Sequence, residues 1–352
     1  MLNISLTTGT HAELQQAAKA VVALVTTDTT EPTPTDRDAW VSDHELRSKL
    51  ERPIGVSVNH WDWVLSVCER ALKVPPLLSD RSSTRALVVL MTLNAARRLP
   101  NPDAAYVTRL IEEAQGLIDL LELSPRRTRL ESLLDYHIGI WARVRGDYQL
   151  SITHQVRSAK LASIAGDKVG AAIAQLCEQT EHISLSLMES TPCNLAPLVA
   201  SAESLVALCR DSSEPVQQYW AHVNAPIHVL LAHIWTRTPL LQERQGFWLG
   251  LMTELVEKTP ESVDDVVPTI TAVEAGILML NDQSTGARNL AEKVVESPKK
   301  DDQALMTAHW VLACVLSSTG NLAEAAGHLQ TIIADGHNMH QLRALAKREL
   351  AK

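Results

Sequence analysis

The stretch "GDYQLSITHQVRSAKLASIAGD", residues 146–167, begins and ends with the dipeptide Gly-Asp, although the chain has only 14 glycines in 352 residues. Glycine adopts the left-handed conformation at the C-terminal end of a helix at little cost. An aspartate directly after it can cap the free N–H groups of the next helix. Each Gly-Asp therefore predicts the end of one helix and the start of another, with a helix of about five turns between them.

The segments on either side of this stretch are predicted to be helices as well. The preceding segment "RLESLLDYHIGIWARVR" and the following segment "KVGAAIAQLCEQTEHISLSLM" both place apolar residues at helical spacing. Because the breaks between these helices are short, consecutive helices are predicted to pack antiparallel.

An internal repeat follows from the small residues around the turns. In three places a small residue lies seven positions before the turn and another lies five positions after it. The three copies are Gly139–Gly146–Ser151, Ala275–Asp282–Ala287 and Ala313–Gly320–Ala325. A recurring spacing of this kind indicates stacked helical hairpins.

This pattern resembles the tetratricopeptide repeat, a helix-turn-helix unit with small residues where its two helices cross. The resemblance covers residues 130–187 and 270–335 and is closest to the longer variety, whose units carry Gly-Asp-Tyr and end in a second Gly-Asp. It implies an all-α fold, a right-handed superhelix (α-solenoid) of antiparallel hairpins with a concave groove. Residues 126–352 form the repeat region in this interpretation, after an N-terminal helix and Thr/Pro-rich linker over 1–35 and a helical region over 36–125. Pro226 is predicted to kink one long helix.

Composition excludes several classes of protein. The formal net charge of −9 argues against a nucleic-acid partner, which requires clustered basic residues. No apolar run of membrane-spanning length occurs, and the N-terminus has no signal-peptide pattern. The five cysteines form no C-x-x-C pair, which indicates reduced thiols and a cytoplasmic location.

No catalytic signature is present, so we expect a protein that is not an enzyme and that needs no cofactor and no metal. Asp335, His337 and His340 could hold a metal ion, but a solvated helix start is the favoured interpretation. Residues 55–67 resemble a DNA-reading helix-turn-helix, but Asp62 and two tryptophans do not suit a groove-facing surface.

A cluster of arginines leaves two interpretations open. Arg126, Arg127 and Arg129 crowd the start of a predicted helix, where cations oppose the helix dipole. The cluster is either a solvated face or a site for an acidic partner.

The resemblance to tetratricopeptide repeats also implies which residues line the groove, because the first helix of each hairpin faces inward in that family. The candidate binding residues from this resemblance are Tyr136, Arg143, Glu181 and Trp310, with Cys314 beside Trp310. Tyr219 and His222 are added because they share one face of the helix that contains Pro226. We expect a scaffold that binds a protein or peptide, with an acidic partner as one option. The alternatives are a ligand- or peptide-sensing regulatory module of a bacterial signalling system and an all-helical enzyme without a known motif.

Overall fold

The computed structural model describes residues 65, 68–69, 72–73, 83–99, 101–212, 215–240, 242–258, 266–298 and 302–352. The Thr/Pro-rich linker and residues 55–64 of the helix-turn-helix-like stretch lie outside these residues. Every regular element in the described part of the chain is a helix, and there are thirteen of them. The all-α prediction is therefore confirmed.

The first six helices precede one long helix that contains Pro226. They are α1 (Ser83–Ala96), α2 (Ala104–Asp119), α3 (Pro125–Val144), α4 (Tyr148–Ile164), α5 (Lys168–Glu189) and α6 (Ala196–Cys209). The long helix, α7, runs without a break through Pro215–Tyr219, Trp220–Asn224 and Ala225–Thr236. The last six are α8 (Gln242–Lys258), α9 (Val267–Leu280), α10 (Ser284–Glu296), α11 (Asp302–Ser318), α12 (Leu322–Asp335) and α13 (His340–Leu350).

Four turns between consecutive helices share one backbone geometry. Their left-handed residues are Gly146 (φ 79°), Gly166 (φ 78°), Asp282 (φ 58°) and Gly320 (φ 83°). At the first turn the N–H of Gly146 donates to the carbonyl of Arg143 at 2.8 Å, and the N–H of Asp147 donates to that of Ala142 at 2.9 Å. The other three turns make the same two bonds, to the carbonyls three and five residues back. This is the Schellman arrangement, which pairs the free carbonyls at the end of a helix.

The aspartate of each Gly-Asp begins the next helix, as predicted. A carboxylate oxygen of Asp147 accepts the N–H of Leu150 at 3.0 Å, and one of Asp167 accepts the N–H of Gly170 at 2.8 Å. The helix between the two dipeptides runs from Tyr148 to Ile164, which confirms the helix predicted there.

Contacts between α3 and α4 show that the two helices are antiparallel. Ser132 and Ser158 exchange hydrogen bonds through their hydroxyls and carbonyls, both at 2.9 Å. Further along α3, the carbonyl of Tyr136 accepts the side-chain amide of Gln155 at 3.3 Å. Because the partner's number falls as the number on α3 rises, the two helices run in opposite directions.

The chain forms two compact units. Of the described residues, the first takes those up to residue 141 together with 153–175 and 215–217, and in it α1 packs against α2. The second comprises residues 142–152, 176–212 and 218–352, and its helices pack largely in the order of the chain. In the second unit α6 packs on α7, α7 on α8 and α9, and α9 to α13 each pack on the next helix.

Small side chains dominate the core of the second unit between α9 and α12. Its buried cluster includes the predicted small residues Ala275, Ala287 and Ala325, each no more than 2% exposed. Ala313 is likewise only 2% exposed. Alanines at these positions allow the helices to approach closely, as the repeat pattern predicts.

The long helix α7 is irregular next to its internal proline. Residues Trp220–Asn224 form a π-helical turn, in which the N–H of Ala225 donates to the carbonyl of Trp220. Pro226 has no N–H and its ring clashes with the carbonyl four residues back, so a wider turn relieves both problems. The irregularity predicted at Pro226 is therefore a π-helical turn.

The last helix contacts residues that lie 196 and 161 positions earlier in the chain. The Nε2–H of His340 donates to the carbonyl of Val144 at 3.0 Å. The guanidinium of Arg348 donates to the carbonyl of Leu187 at 2.6 Å. Val144 ends α3 and Leu187 lies in the last turn of α5, so α13 supplies donors to the C-terminal ends of both helices.

Gly146→Ala tests the turn geometry and the contact with α13 together. The left-handed backbone costs an alanine about 1 kcal/mol. An added Cβ would also lie 3.1 Å from the ring of His340. We expect a loss of about 1–2 kcal/mol in the free energy of unfolding, measured by urea denaturation.

Two other glycines separate these contributions. Gly166 has the same backbone conformation, and nothing lies within 4 Å of an added Cβ. Gly166→Ala should therefore lose only the free energy that the left-handed backbone costs, about 1 kcal/mol. Gly116 lies on the exposed side of α2, also with nothing within 4 Å, and Gly116→Ala should raise stability by about 0.5–1 kcal/mol. Equal stability of the Gly146 variant and the wild type would contradict the structure of this turn.

Candidate functional site

The predicted groove residues fall in both units. Tyr136 belongs to the first unit, where its ring lies edge-on against His137 at 5.3 Å between centroids. Arg143, Glu181, Tyr219, His222 and Trp310 belong to the second unit. Within that unit the structure describes three sets of neighbours: Arg143 with Glu181, His222 with Glu254, and Trp310 with Cys314 and Arg237.

Arg143 and Glu181 form an ion pair inside the second unit. The Nη1 atom of Arg143 lies 3.5 Å from a carboxylate oxygen of Glu181. The Glu181 side chain is 0% exposed, whereas that of Arg143 is 33% exposed. Neither carboxylate oxygen of Glu181 meets a hydrogen-bond donor at close range among the described residues. The pair is thus a buried carboxyl with one long contact to a partly hydrated cation.

Burial controls the ionisation of Glu181. Removal from water raises the pKa of this carboxyl from 4.5 to about 7, although the charge of Arg143 opposes the change. Burial raises the pKa of the nearby Tyr148, and the charge of Glu181 raises it further. The hydroxyl of Tyr148 donates to the side-chain oxygen of Gln341 on α13 at 2.6 Å.

A histidine that was not predicted completes this polar cluster. Nδ1 of His228 lies 3.2 Å from the hydroxyl of Thr180. Burial, and then the positive charge of Arg143, lower the pKa of His228 to about 3. The ring is therefore neutral at ordinary pH and contributes a hydrogen bond rather than a charge.

His222 lies in the π-helical turn of α7 and is buried. Its Nδ1–H donates to the carbonyl of Gln218 at 2.9 Å, and its Nε2 lies 3.9 Å from the carboxylate of Glu254. The same carboxylate oxygen accepts from Arg210 at 3.3 Å. The side chain of His222 is thus directed toward an ion pair between α6 and α8, and Tyr219, three residues earlier, is half-buried.

Trp310 and Cys314 line a cleft of about 310 Å³ in the second unit. The buried part of its wall consists of Trp310, Ala313 and Leu329, none more than 5% exposed. The rim carries exposed polar groups. They belong to Arg237, Ser317 and Ser318, with the half-buried Glu349 completing the lining.

Arg237 is held in the cleft by its backbone and by two side chains. It ends α7 in the left-handed conformation, with φ 53°, which is uncommon for a residue other than glycine. Its guanidinium lies 5.5 Å from the centre of the Trp310 ring, a cation–π distance. One guanidinium N–H donates to the sulfur of Cys314 at 2.9 Å. No carboxylate in the described part of the chain forms an ion pair with it.

The thiol of Cys314 is a poor nucleophile in this setting. Burial raises its pKa, and the nearby Arg237 only partly opposes this. Because the thiolate is the reactive form, the structure gives Cys314 the role of a weak hydrogen-bond acceptor for the arginine.

The arginine cluster at the start of α3 has partners within the protein. Arg127 donates to Glu131 at 2.8 Å and to the carbonyl of Leu121, which follows α2, at 2.8 Å. It also lies 3.3 Å from the carboxylate of Asp119. These contacts give Arg127 a structural role in joining α2 to α3.

The structure also bears on Asp335, His337 and His340, for which a solvated helix start was favoured over a metal site. No group of three potential ligands in the described part of the chain is arranged to hold a metal ion. His340 points its Nε2 at the carbonyl of Val144.

None of the described helices has the length and apolarity needed to cross a membrane.

Sequence reasoning missed Arg237, His228 and Glu349. The end of α7 could have been predicted, because Pro239 follows within three residues and proline commonly follows a helix end. Nothing in the sequence signals that the residue at this helix end adopts a left-handed backbone and turns its guanidinium onto Trp310.

Glu181→Gln tests the buried carboxyl through the pH dependence of stability. A carboxyl whose pKa is higher in the folded protein than in the unfolded chain loses stability as pH rises from about 4.5 through about 7. Glutamine has the same shape and cannot ionise. The variant should therefore gain about 1–3 kcal/mol relative to wild type between pH 5 and pH 8, measured by urea denaturation.

Glu189→Gln is the matched control, because Glu189 is an exposed carboxyl at the end of the same helix. Its stability relative to wild type should hardly change over this pH range. If the Glu181 and Glu189 variants followed the same pH dependence, Glu181 would not be the buried group described above.

Comparison with known proteins gives no family. No family model matches the chain, and no curated protein matches it in sequence. What the chain itself shows is an all-helical protein whose thirteen described helices pack largely in sequence order.

Proposed function

We propose that this protein is a non-enzymatic, tetratricopeptide-like scaffold that binds a protein or peptide partner on the concave surface of a right-handed superhelix of hairpins. Four turns with one geometry, and small residues at the predicted core positions, support a repeating hairpin unit. Such units bury their faces against their neighbours and leave an extended surface for a partner.

The cleft around Arg237 and Trp310 is the observation that carries this proposal. It combines an exposed guanidinium, an aromatic ring and an apolar wall, which together suit a side chain or chain segment of a partner. It involves α11, the first helix of a hairpin, and it contains the two residues, Trp310 and Cys314, that the repeat assignment directs to the groove.

The chemistry of the cleft favours binding over catalysis. Its only thiol has a raised pKa, and no histidine is among the residues that line it. A nucleophile–base pair, which acyl transfer by a cysteine requires, is therefore not formed by these lining residues. The exposed rim also leaves the cleft open to a partner that approaches from solvent.

Arg237 replaces Arg143 as the arginine that we expect to meet the partner. Arg143 directs its charge at the buried Glu181, whereas Arg237 faces an open cleft. An acidic group on the partner would match Arg237. None of the cysteines in the described chain forms a disulfide, which is consistent with the cytoplasmic location that we propose.

Charge reversal at the cleft tests the proposal. Wild type and Arg237→Glu, each immobilised, are exposed to lysate of the native cells, and retained proteins are identified by mass spectrometry. We expect at least one protein to bind the wild type and to be recovered in about tenfold lower amount on the variant, because a charge-assisted contact becomes repulsive.

Lys160→Glu is the matched control, since it makes the same change in net charge at an exposed position of α4. It should retain the partner at the wild-type level. A partner lost equally from both variants would reflect net charge alone, and the absence of any partner sensitive to Arg237 would contradict the proposed site.

A further inference from the structure

The cleft carries two opposite charges that do not neutralise each other. Arg237 and Glu349 both line it, and the described chain forms no ion pair between them. Burial is the main reason why the pKa of the Cys314 thiol is raised, and beside it the charge of Arg237 lowers this pKa while that of Glu349 raises it. Cys314 therefore lies within electrostatic reach of a cation and an anion that belong to one cleft.

Arg237 and Glu349 each make a contact that a ligand could replace or to which it could add another. The guanidinium of Arg237 gives one N–H to a sulfur, which is a weak acceptor, and its other donors can serve a carboxylate. One oxygen of Glu349 accepts the ammonium of Lys352 at 2.7 Å. Lys352 is exposed near the end of the chain, and a surface pair of this kind contributes little.

The cleft is large enough for a small ligand. Its volume of about 310 Å³ lies in the range of sites that bind small organic molecules. The wall formed by Trp310, Ala313 and Leu329 is apolar apart from the indole N–H, which has no hydrogen-bond partner in the described chain. A ligand with one small charged end and one apolar end fits both the volume and this wall.

We propose that the cleft binds a free α-amino acid with an apolar side chain, as its zwitterion, and that this ligand competes with the partner protein for the cleft. The α-carboxylate would pair with Arg237, the α-ammonium would take the place of Lys352 at Glu349, and the side chain would lie against Leu329 and Ala313. The competition rests on the function proposed above, but binding of the amino acid does not.

Electrostatic balance distinguishes a zwitterion from a simple ion. A ligand that carried only a carboxylate would be attracted by Arg237 but repelled by Glu349. A ligand that carried only an ammonium would be attracted by Glu349 but repelled by Arg237. A zwitterion satisfies both residues, since each of its charged groups has an opposite charge within the same cleft. Removal of either charge from the ligand or from the protein should therefore weaken binding.

Isothermal titration calorimetry on the full chain provides the test. Leucine, methionine and phenylalanine are titrated first. The best of the three is then compared with its N-acetyl derivative, which lacks the ammonium, and its methyl ester, which lacks the carboxylate. We expect each derivative to bind about tenfold more weakly or worse, because each loses one charge-assisted contact.

Variants of the protein give the complementary measurement. Arg237→Gln should weaken binding of the free amino acid about tenfold while removing the discrimination against the methyl ester. Glu349→Gln should also weaken binding of the free amino acid about tenfold, and it should remove the discrimination against the N-acetyl derivative. Lys160→Gln, a neutralisation at an exposed position of α4, should bind like the wild type.

Each result supports or overturns the proposal. Failure of all three amino acids to bind, or equal binding of the free amino acid and both derivatives, overturns it. If binding is lost from Lys160→Gln as well, the site is not this cleft and the proposal fails. An Arg237-dependent partner in the lysate experiment, combined with no amino-acid binding, would leave the scaffold function standing and remove only the amino-acid ligand.

Discussion

The structure depends on the pairing of backbone polar groups at the ends of helices. A helix leaves its last carbonyls without partners, and a fold made of many short helices meets this problem at every turn. The described part of this chain solves it four times with one left-handed residue and two N–H donors. Because the turn itself satisfies the carbonyls, the helices that it joins can use their side chains for packing, as the alanine cluster between α9 and α12 shows.

The parts of the fold that follow from local chemistry could be predicted from the sequence. Glycine is the residue that adopts a left-handed backbone cheaply, so the Gly-Asp dipeptides predicted where α3 and α4 end. Asp282 occupies the same conformation without being glycine, and only the spacing of alanines around it revealed that turn. The packing of α13 against Val144 could not be predicted, because no local pattern encodes a contact across nearly 200 residues.

The candidate site was predictable only in part, for a related reason. Arg143 and Glu181 were both predicted to line the groove, and they form an ion pair, but helical phase does not determine depth, and the side chain of Glu181 is fully buried. Because an unpaired buried carboxylate is costly, the burial of Glu181 keeps Arg143 beside it. The arginine that faces an open cleft, Arg237, owes its position to a left-handed backbone at the end of α7, which depends on tertiary packing rather than on its own sequence.

The contacts of α13 also determine when the second unit can be completed during synthesis. Residues 142–152 of this unit are synthesised well before α13, yet the donors that His340 and Arg348 supply to α3 and α5 belong to α13. Closure of a loop of this length is slow compared with the formation of local hairpins. A nascent chain can therefore form its turns one by one as they emerge, while the hydroxyl of Tyr148 obtains its partner on α13 only after α13 itself has emerged from the ribosome.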